Sequence, residues 1–174
     1  MMLFQFQNKV FKFRDAISSD SNAVAEIYNY SIPVGKATAD LEEKPISYFV
    51  TLISEHKPAT NPFWVIVNDL DLVVGYISFK NFYPRQAYKH VFEISLYLHP
   101  NYQGFGLGKI ALKQAHIASP SLGITILLAY IFGHNINSLA LFQSLGYEPW
   151  GLLPKIANMP EAKRDLIILG INLI

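Results

Sequence analysis

One stretch constrains this chain more than any other. An alternating strand, Val91–Leu98, runs into the glycine-rich segment Gln103-Gly104-Phe105-Gly106-Leu107-Gly108-Lys109, and a helical segment opening with Ile110, Ala111 and Leu112 leaves it. A chain that turns from strand to helix within a few residues needs backbone conformations that glycine adopts without penalty. The same geometry makes a generic anion cradle: glycines let a phosphate approach the backbone, and the first helical turn presents unpaired N–H groups at the positive end of its dipole. A tight turn with no ligand satisfies the same residues, so the glycines alone leave both readings open.

The rest of the chain narrows the setting. At 174 residues, with 51% hydrophobic and 14% aromatic content, one domain spanning 1–174 with a sizeable core is expected. The formal net charge of +1 gives no electrostatic reason to expect a nucleic acid or an anionic membrane as partner. The absence of cysteine excludes disulfides, thiolate metal sites and cysteine nucleophiles, and no metal is expected. Met1–Phe13 carries Lys9 and Lys12 inside its apolar run and lacks the order of a signal peptide, and the longest apolar stretch, Ile124–Phe132, is too short to span a bilayer. A cytoplasmic protein is the expectation.

Periodicity gives the elements. Val10–Phe13 reads as a first strand. Ser18, Ser19 and Asp20 offer N-cap chemistry to a helix carrying Val24, Ile27 and Tyr28, which is expected to run to about Tyr30 and to break at Pro33 and Gly35. After Pro45 a second helix is predicted with Ile46, Phe49, Val50 and Ile53 on its apolar face. Phe63–Val67 and Leu72–Phe79, joined by the polar turn Asn68-Asp69-Leu70-Asp71, suggest an antiparallel pair. Beyond the glycine turn a helix extends to Ala118, the nearly all-apolar Ile124–Phe132 has the character of a strand covered on both faces, and a helix is predicted over 135–145 before Gly146. Tyr147–Leu153 and Leu166–Ile174 read as a final strand pair. The order β-α-α-β-β-β-α-β-α-β-β implies an α/β domain with a mixed sheet, largely antiparallel, and one parallel crossover near the glycine turn.

Gln103, Gly106 and Gly108, spaced Gln-x-x-Gly-x-Gly between a strand and a helix, are followed by His134-Asn135-Ile136-Asn137-Ser138 and by a helix ending in Leu145-Gly146-Tyr147-Glu148. This ordered set resembles the GNAT superfamily of N-acetyltransferases, and within it the phosphinothricin acetyltransferase-like branch of methionine sulfone and sulfoximine type. The resemblance extends over nearly the whole chain through Ile27-Tyr28-Asn29, Phe63-Trp64-Val65, Val74-Gly75-Tyr76, Phe92–Pro100 and Asn135-x-x-Ser138. It implies a mixed, mostly antiparallel sheet with a splayed parallel strand pair, flanked by about four helices. It also implies acetyl-CoA as co-substrate, its pyrophosphate on the backbone of Gln103, Gly104, Phe105, Gly106, Leu107, Gly108 and Lys109, and its pantetheine arm paired with backbone groups of Leu96, Tyr97 and Leu98. Asn135 and Ser138 would stand beside that arm; by residue type alone both are better read as helix caps.

For the chemistry, the resemblance points to Glu93 as the group that takes the proton of the attacking amine. Its neighbours Phe92 and Ile94 are apolar, and burial would raise its pKa usefully. By pattern alone, Glu93, Ser95, Tyr97 and His99 alternating with Phe92, Ile94, Leu96 and Leu98 describe a half-exposed strand with one polar face. A backbone N–H near Leu98 would hold the developing oxyanion. Where many relatives place a tyrosine to protonate the leaving thiolate, this chain has Phe142, leaving His134 or Tyr147 as substitutes, each better read as structural.

On the acceptor side the resemblance implies Tyr83, Pro84 and Arg85, with Glu93, Ile94 and Ser95, against the substrate. Arg85 would pair with a carboxylate, and Asn29, Lys36 and Thr38 would complete the pocket. The function implied is acetyl transfer from acetyl-CoA, by direct attack in a ternary complex, to the α-amino group of a small amino-acid-like acceptor such as phosphinothricin, methionine sulfoximine or methionine sulfone. The alternatives are another amine, a polyamine or a protein N-terminus, and a non-catalytic acyl-CoA-binding module. A homodimer is expected, with the aromatic-rich C-terminal strands supplying apolar surface.

Overall fold

The computed structural model describes residues 2–6 and 9–173. Among these residues eight strands join one sheet in the order β1-β2-β3-β4-β5-β6-β8-β7. They are β1 (Met2–Phe6), β2 (Lys9–Asp15), β3 (Phe63–Val67), β4 (Val73–Asn81), β5 (Val91–Leu98), β6 (Ile126–Phe132), β7 (Glu148–Asn158) and β8 (Lys163–Asn172). Four α-helices accompany them: α1 (Ser21–Val34), α2 (Ile46–Glu55), α3 (Leu107–Ala118) and α4 (Ile136–Gln143). The expected order holds, with one strand more: β1 forms a hairpin with β2, Met2 opposite Phe13 and Phe6 opposite Lys9. The last strand ends at Asn172; Met1 and Ile174, inside the predicted span, lie outside the described residues.

Strand alternation sorts the core into two layers. On one face Ile66, Ile77, Phe79, Phe92 and Ile94 pack with Leu107 and Leu112 of α3 and Phe142 of α4. On the other, Val65, Val67 and Tyr76 pack with Val24 and Ile27 of α1 and Phe49 and Ile53 of α2.

Two helices differ from the expectation, one in its end and one in its buried face. Helix α1 passes through Pro33, whose missing N–H removes one bond in the last turn without breaking it, and ends at Gly35 in the left-handed region with φ 64°. Helix α2 buries only Phe49 and Ile53; Ile46 and Val50 stay 50% and 38% exposed, so its apolar stripe is one i, i+4 row and not a broad face.

The feature that shapes the site is the contact between β5 and β6. It is the one parallel pairing among the described strands and lasts three residues, from Val91 opposite Ile126 to Glu93 opposite Leu128. Beyond it the strands part. β5 continues to Leu98 along β4 alone, ending with Leu98 opposite Gly75, while β6 continues to Phe132 along β8. Gly75 lets the end of β5 lie close to β4: a Cβ there would stand 2.5 Å from Leu98 Cδ2 and 2.8 Å from the Tyr97 carbonyl oxygen.

That close approach makes Gly75→Ala an overpacking change against backbone, expected to cost about 1–3 kcal/mol. Thermal unfolding checks it. The midpoint should fall by roughly 2–4 °C for each kcal/mol in a chain of this size, and an unchanged midpoint would mean β5 does not lean on Gly75.

Candidate functional site

The register of β5 decides which backbone groups are free. Phe82 donates to the Val91 carbonyl (3.1 Å) and His99 to the Val74 carbonyl (2.9 Å), so the odd-numbered residues of β5 exchange their bonds with β4. The C=O of Ile94 and the N–H and C=O groups of Leu96 and Leu98 therefore point the other way, into the opening between β5 and β6. The expected set of Leu96, Tyr97 and Leu98 is corrected at Tyr97, whose backbone faces β4. At the far end Gln103 Nε2 donates to the Leu98 carbonyl at 2.9 Å. The opening narrows to a cavity of about 60 Å³, with Ile94–Tyr97 on one wall, Ala129–Ile131 on the other, and Asn135, Ser138 and Phe142 of the α4 region across it.

The glycine turn lies at the end of this opening. Gly104 (φ 78°) and Gly106 (φ 81°) are left-handed, Gly106 as the N-cap of α3, and a Cβ at Gly104 would meet nothing within 4 Å. The Gly106 carbonyl accepts from Lys109 and Ile110 at 3.1 and 3.3 Å, so the amides ahead of them open outward. Gln103, Phe105 and Lys109 are exposed. Leu107 is buried in the core, so it offers the turn only its backbone. A Cβ on Gly108 would stand 3.2 Å from Leu141 Cδ2 and 3.3 Å from Leu96 Cδ2, so that glycine brings α3 close to α4 and β5. An open strand edge leading to outward amides at a helix start fits an extended amide-bearing chain that ends in a diphosphate.

The odd-numbered side chains of β5 form the floor of a second cavity, of about 1150 Å³, under α1, α2 and the loop that joins them. Tyr97 stacks on Tyr76 (5.1 Å between ring centroids), which stacks on Phe63 (5.0 Å). Glu93 and Ser95 stand beside them, so the polar face read as half exposed to solvent is the lining of a pocket. Glu93 borders both cavities. Loss of water around its carboxyl raises its pKa, and the positive charge of Lys80 opposite only partly offsets this.

The loop over 35–44 is fastened by its main chain. His134 Nε2 donates to the Gly35 carbonyl (3.0 Å), Asn135 Nδ2 to that of Lys36 (3.0 Å), and the Tyr97 hydroxyl to that of Ala37 (3.0 Å). Asn135 Oδ1 meanwhile accepts from Ser138 N at 3.2 Å, the helix-capping role its residue type suggests. Tyr28 bonds Thr38 Oγ1 (2.7 Å) and Asp40 Oδ2 (2.5 Å), while the Asn29 amide clasps the backbone of Lys44. Lys36 and Thr38 line the large cavity as expected; Asn29 holds the loop from outside it.

Other expected residues fall elsewhere. Tyr83, Pro84 and Arg85 are exposed and border neither cavity, and the Arg85 guanidinium lies over the Tyr83 ring at 5.7 Å. Ile94 is a core residue whose contribution to the opening is through its backbone. Phe142 packs edge-on against Tyr147 at 4.9 Å, and the Tyr147 hydroxyl is engaged with His116 Nε2 at 3.1 Å, away from both cavities. Among the lining residues not expected from the sequence are Lys80, near the end of β4, and Tyr130, which borders both cavities. An antiparallel partner strand placing Lys80 across from Glu93 is the signal that identifies the first.

Known proteins resemble this chain in sequence and in fold. The model of the acetyltransferase (GNAT) family matches residues 24–147. YwnH of Bacillus subtilis (strain 168), named "putative phosphinothricin acetyltransferase", is 40% identical over 151 residues, covering 87% of this chain and 92% of its own. An L-methionine sulfoximine/L-methionine sulfone acetyltransferase of Pseudomonas aeruginosa is 27% identical over 92% of this chain and 93% of its own. The crystal structure of a GNAT superfamily phosphinothricin acetyltransferase from Sinorhizobium meliloti in complex with acetyl-CoA superposes with a TM-score of 0.87 at 28% identity, covering 93% of this chain and 88% of that one.

The raised pKa of Glu93 has a consequence for stability. The folded state binds this proton more tightly than the unfolded chain, so Glu93 favours the fold at acidic pH, and that contribution is lost as pH rises through its folded value. Glu93→Gln, which stays neutral, should melt higher than the parent at pH 8 and match it at pH 4. Melting curves at the two pH values check this; equal midpoints at pH 8 would contradict the burial.

Proposed function

Because the chain belongs to the acetyltransferase (GNAT) family and is an acetyl-CoA-dependent N-acetyltransferase, we propose that it acetylates the α-amino group of a small amino-acid-like acceptor of the phosphinothricin, methionine sulfoximine or methionine sulfone type. The observation that carries this reading is the position of Glu93 on the boundary between a narrow opening edged with free backbone amides and a roomy, aromatic-floored cavity. When bound, acetyl-CoA supplies an electrophilic acetyl thioester and a thiol leaving group. The chain does the rest. The N–H groups of Leu96 and Leu98 offer main-chain hydrogen bonds to the pantetheine arm, and the outward amides from Gly104 to Gly108 take the diphosphate at the start of α3, the N–H groups of Gln103 and Lys109 being held by the Pro100 and Gly106 carbonyls. Ser138 borders the arm, and Asn135 fixes the wall beside it.

In the large cavity the amine loses its proton to Glu93, directly or through one water. Its partly buried position favours the protonated form, so it accepts a proton more readily than an exposed carboxylate while still ionising as pH rises. A β5 backbone N–H that points into the opening is the donor this reading assigns to the acyl oxygen. Phe142 donates nothing, the Tyr147 hydroxyl is engaged with His116, and His134 gives its Nε2–H to the Gly35 carbonyl, so that the neutral ring has a bare Nδ1 with no hydrogen to donate. A thiolate of ordinary pKa, about 8.5, leaves without a dedicated acid. The same reading is of a cytoplasmic homodimer; edge strand β7 exposes Trp150, Leu152 and Ile156 to a second copy. No described helix is long and apolar enough to cross a membrane.

Two variants test the assignment. Glu93→Gln should lower kcat by about a hundredfold or more and flatten the rise of rate with pH while leaving CoA affinity nearly intact; an unchanged pH–rate profile rules Glu93 out as the base. Gly106→Val introduces a β-branched residue at φ 81° beside the proposed diphosphate site. Calorimetric titration with CoA should show at least a tenfold weaker Kd, and undiminished binding would mean that the cradle lies elsewhere.

A further inference from the structure

The acceptor cavity needs a cation if its occupant is an amino acid, because a carboxylate leaving water requires a paired charge. Arg85, the residue expected for this, borders neither cavity. The charged side chains that do line the large cavity are Lys36, Glu55, Lys80 and Glu93. Lys36 also borders the narrow opening, on the side of the thioester carrier. Lys80 borders the acceptor cavity alone.

Lys80 sits opposite Glu93 in the β4–β5 ladder. Directly opposed residues of an antiparallel pair share a face, with Cβ atoms about 4.5–5.5 Å apart. In an α-amino acid the amine and the carboxylate are separated by a single carbon. An amine held at Glu93 thus brings its carboxylate within the sweep of the neighbouring lysine. Among the described residues no carboxylate lies within ion-pair distance of Lys80 Nζ, whereas Lys44 is occupied by Asp40 at 3.0 Å and Arg14 by Asp20 at 2.7 Å. Lys80 and Glu93 both line the large cavity from directly opposed positions of β4 and β5.

We propose that Lys80 is the specificity-determining residue for the acceptor, binding the α-carboxylate while Glu93 receives the proton of the adjacent α-amine. The proposal rests on the amino-acid acceptor reading above and deepens it. It assigns the discrimination between amino acids and simple amines to one cross-strand pair.

Steady-state kinetics with methionine sulfone and with its primary carboxamide, which keeps the amine and loses the charge, tests this. The parent enzyme should favour the free acid. Lys80→Met should raise KM for the free acid at least tenfold and leave KM for the carboxamide within about twofold, and Lys80→Arg should restore most of the preference. Loss of the lysine charge also makes Glu93 harder to ionise, but that effect is common to both acceptors and cancels in the ratio of their KM values. If the parent shows no preference for the free acid, the amino-acid reading fails and Lys80 fails with it. If the parent shows the preference and Lys80→Met keeps it, the assignment to Lys80 alone is overturned.

Discussion

The parting of β5 from β6 after three paired residues is the constraint from which the site follows. Inside a sheet, backbone amides are consumed by neighbouring strands, and an unpaired row of them is costly unless water or a ligand meets it. Here the row on β5 is left open at the centre of the sheet. Because β5 still pairs with β4 on its other side, the open groups are rigidly placed, and their spacing is that of a strand. A ligand with amides along its length can complete the sheet there, which is a more specific requirement than a hydrophobic groove would impose.

That one divergence also separates two chemical environments. The even-numbered residues of β5 send their backbones into the opening and their side chains into the core under α3. The odd-numbered residues send their backbones to β4, and Glu93, Ser95 and Tyr97 send their side chains into the large cavity. Cofactor recognition by main chain and acceptor chemistry by side chain are thus carried by alternate residues of a single strand. Glu93, the last residue paired with β6, stands where the two meet.

Much of this was legible in the chain itself. The alternation of Val91–Leu98 and the clustered glycines after it identify the strand, the turn and the helix, because the periods of two and 3.6 are local properties. The role of the polar face was not, since alternation reports which residues avoid the core and cannot distinguish bulk water from a cavity roofed by α1 and α2. The Arg85 and Lys80 positions show the same limit. Which residue of β4 faces Glu93 depends on how the connection over 82–90 sets the register, and a loop arginine close in sequence looked nearer than a strand lysine that is closer in space. Asn135 does two things at once: its oxygen caps α4, as its residue type suggests, and its nitrogen reaches a loop 99 residues earlier, which no local pattern could announce.

The fastening of that loop has a consequence of its own. His134, Asn135 and Tyr97 grip the carbonyl oxygens of Gly35, Lys36 and Ala37 rather than any of their side chains. A grip on main chain is indifferent to what a position displays. Positions 36 and 37 are therefore free to drift in size, charge or polarity while the wall they belong to keeps its place, and a lineage carrying this arrangement can retune the molecules it accepts without first having to rebuild the vessel that holds them.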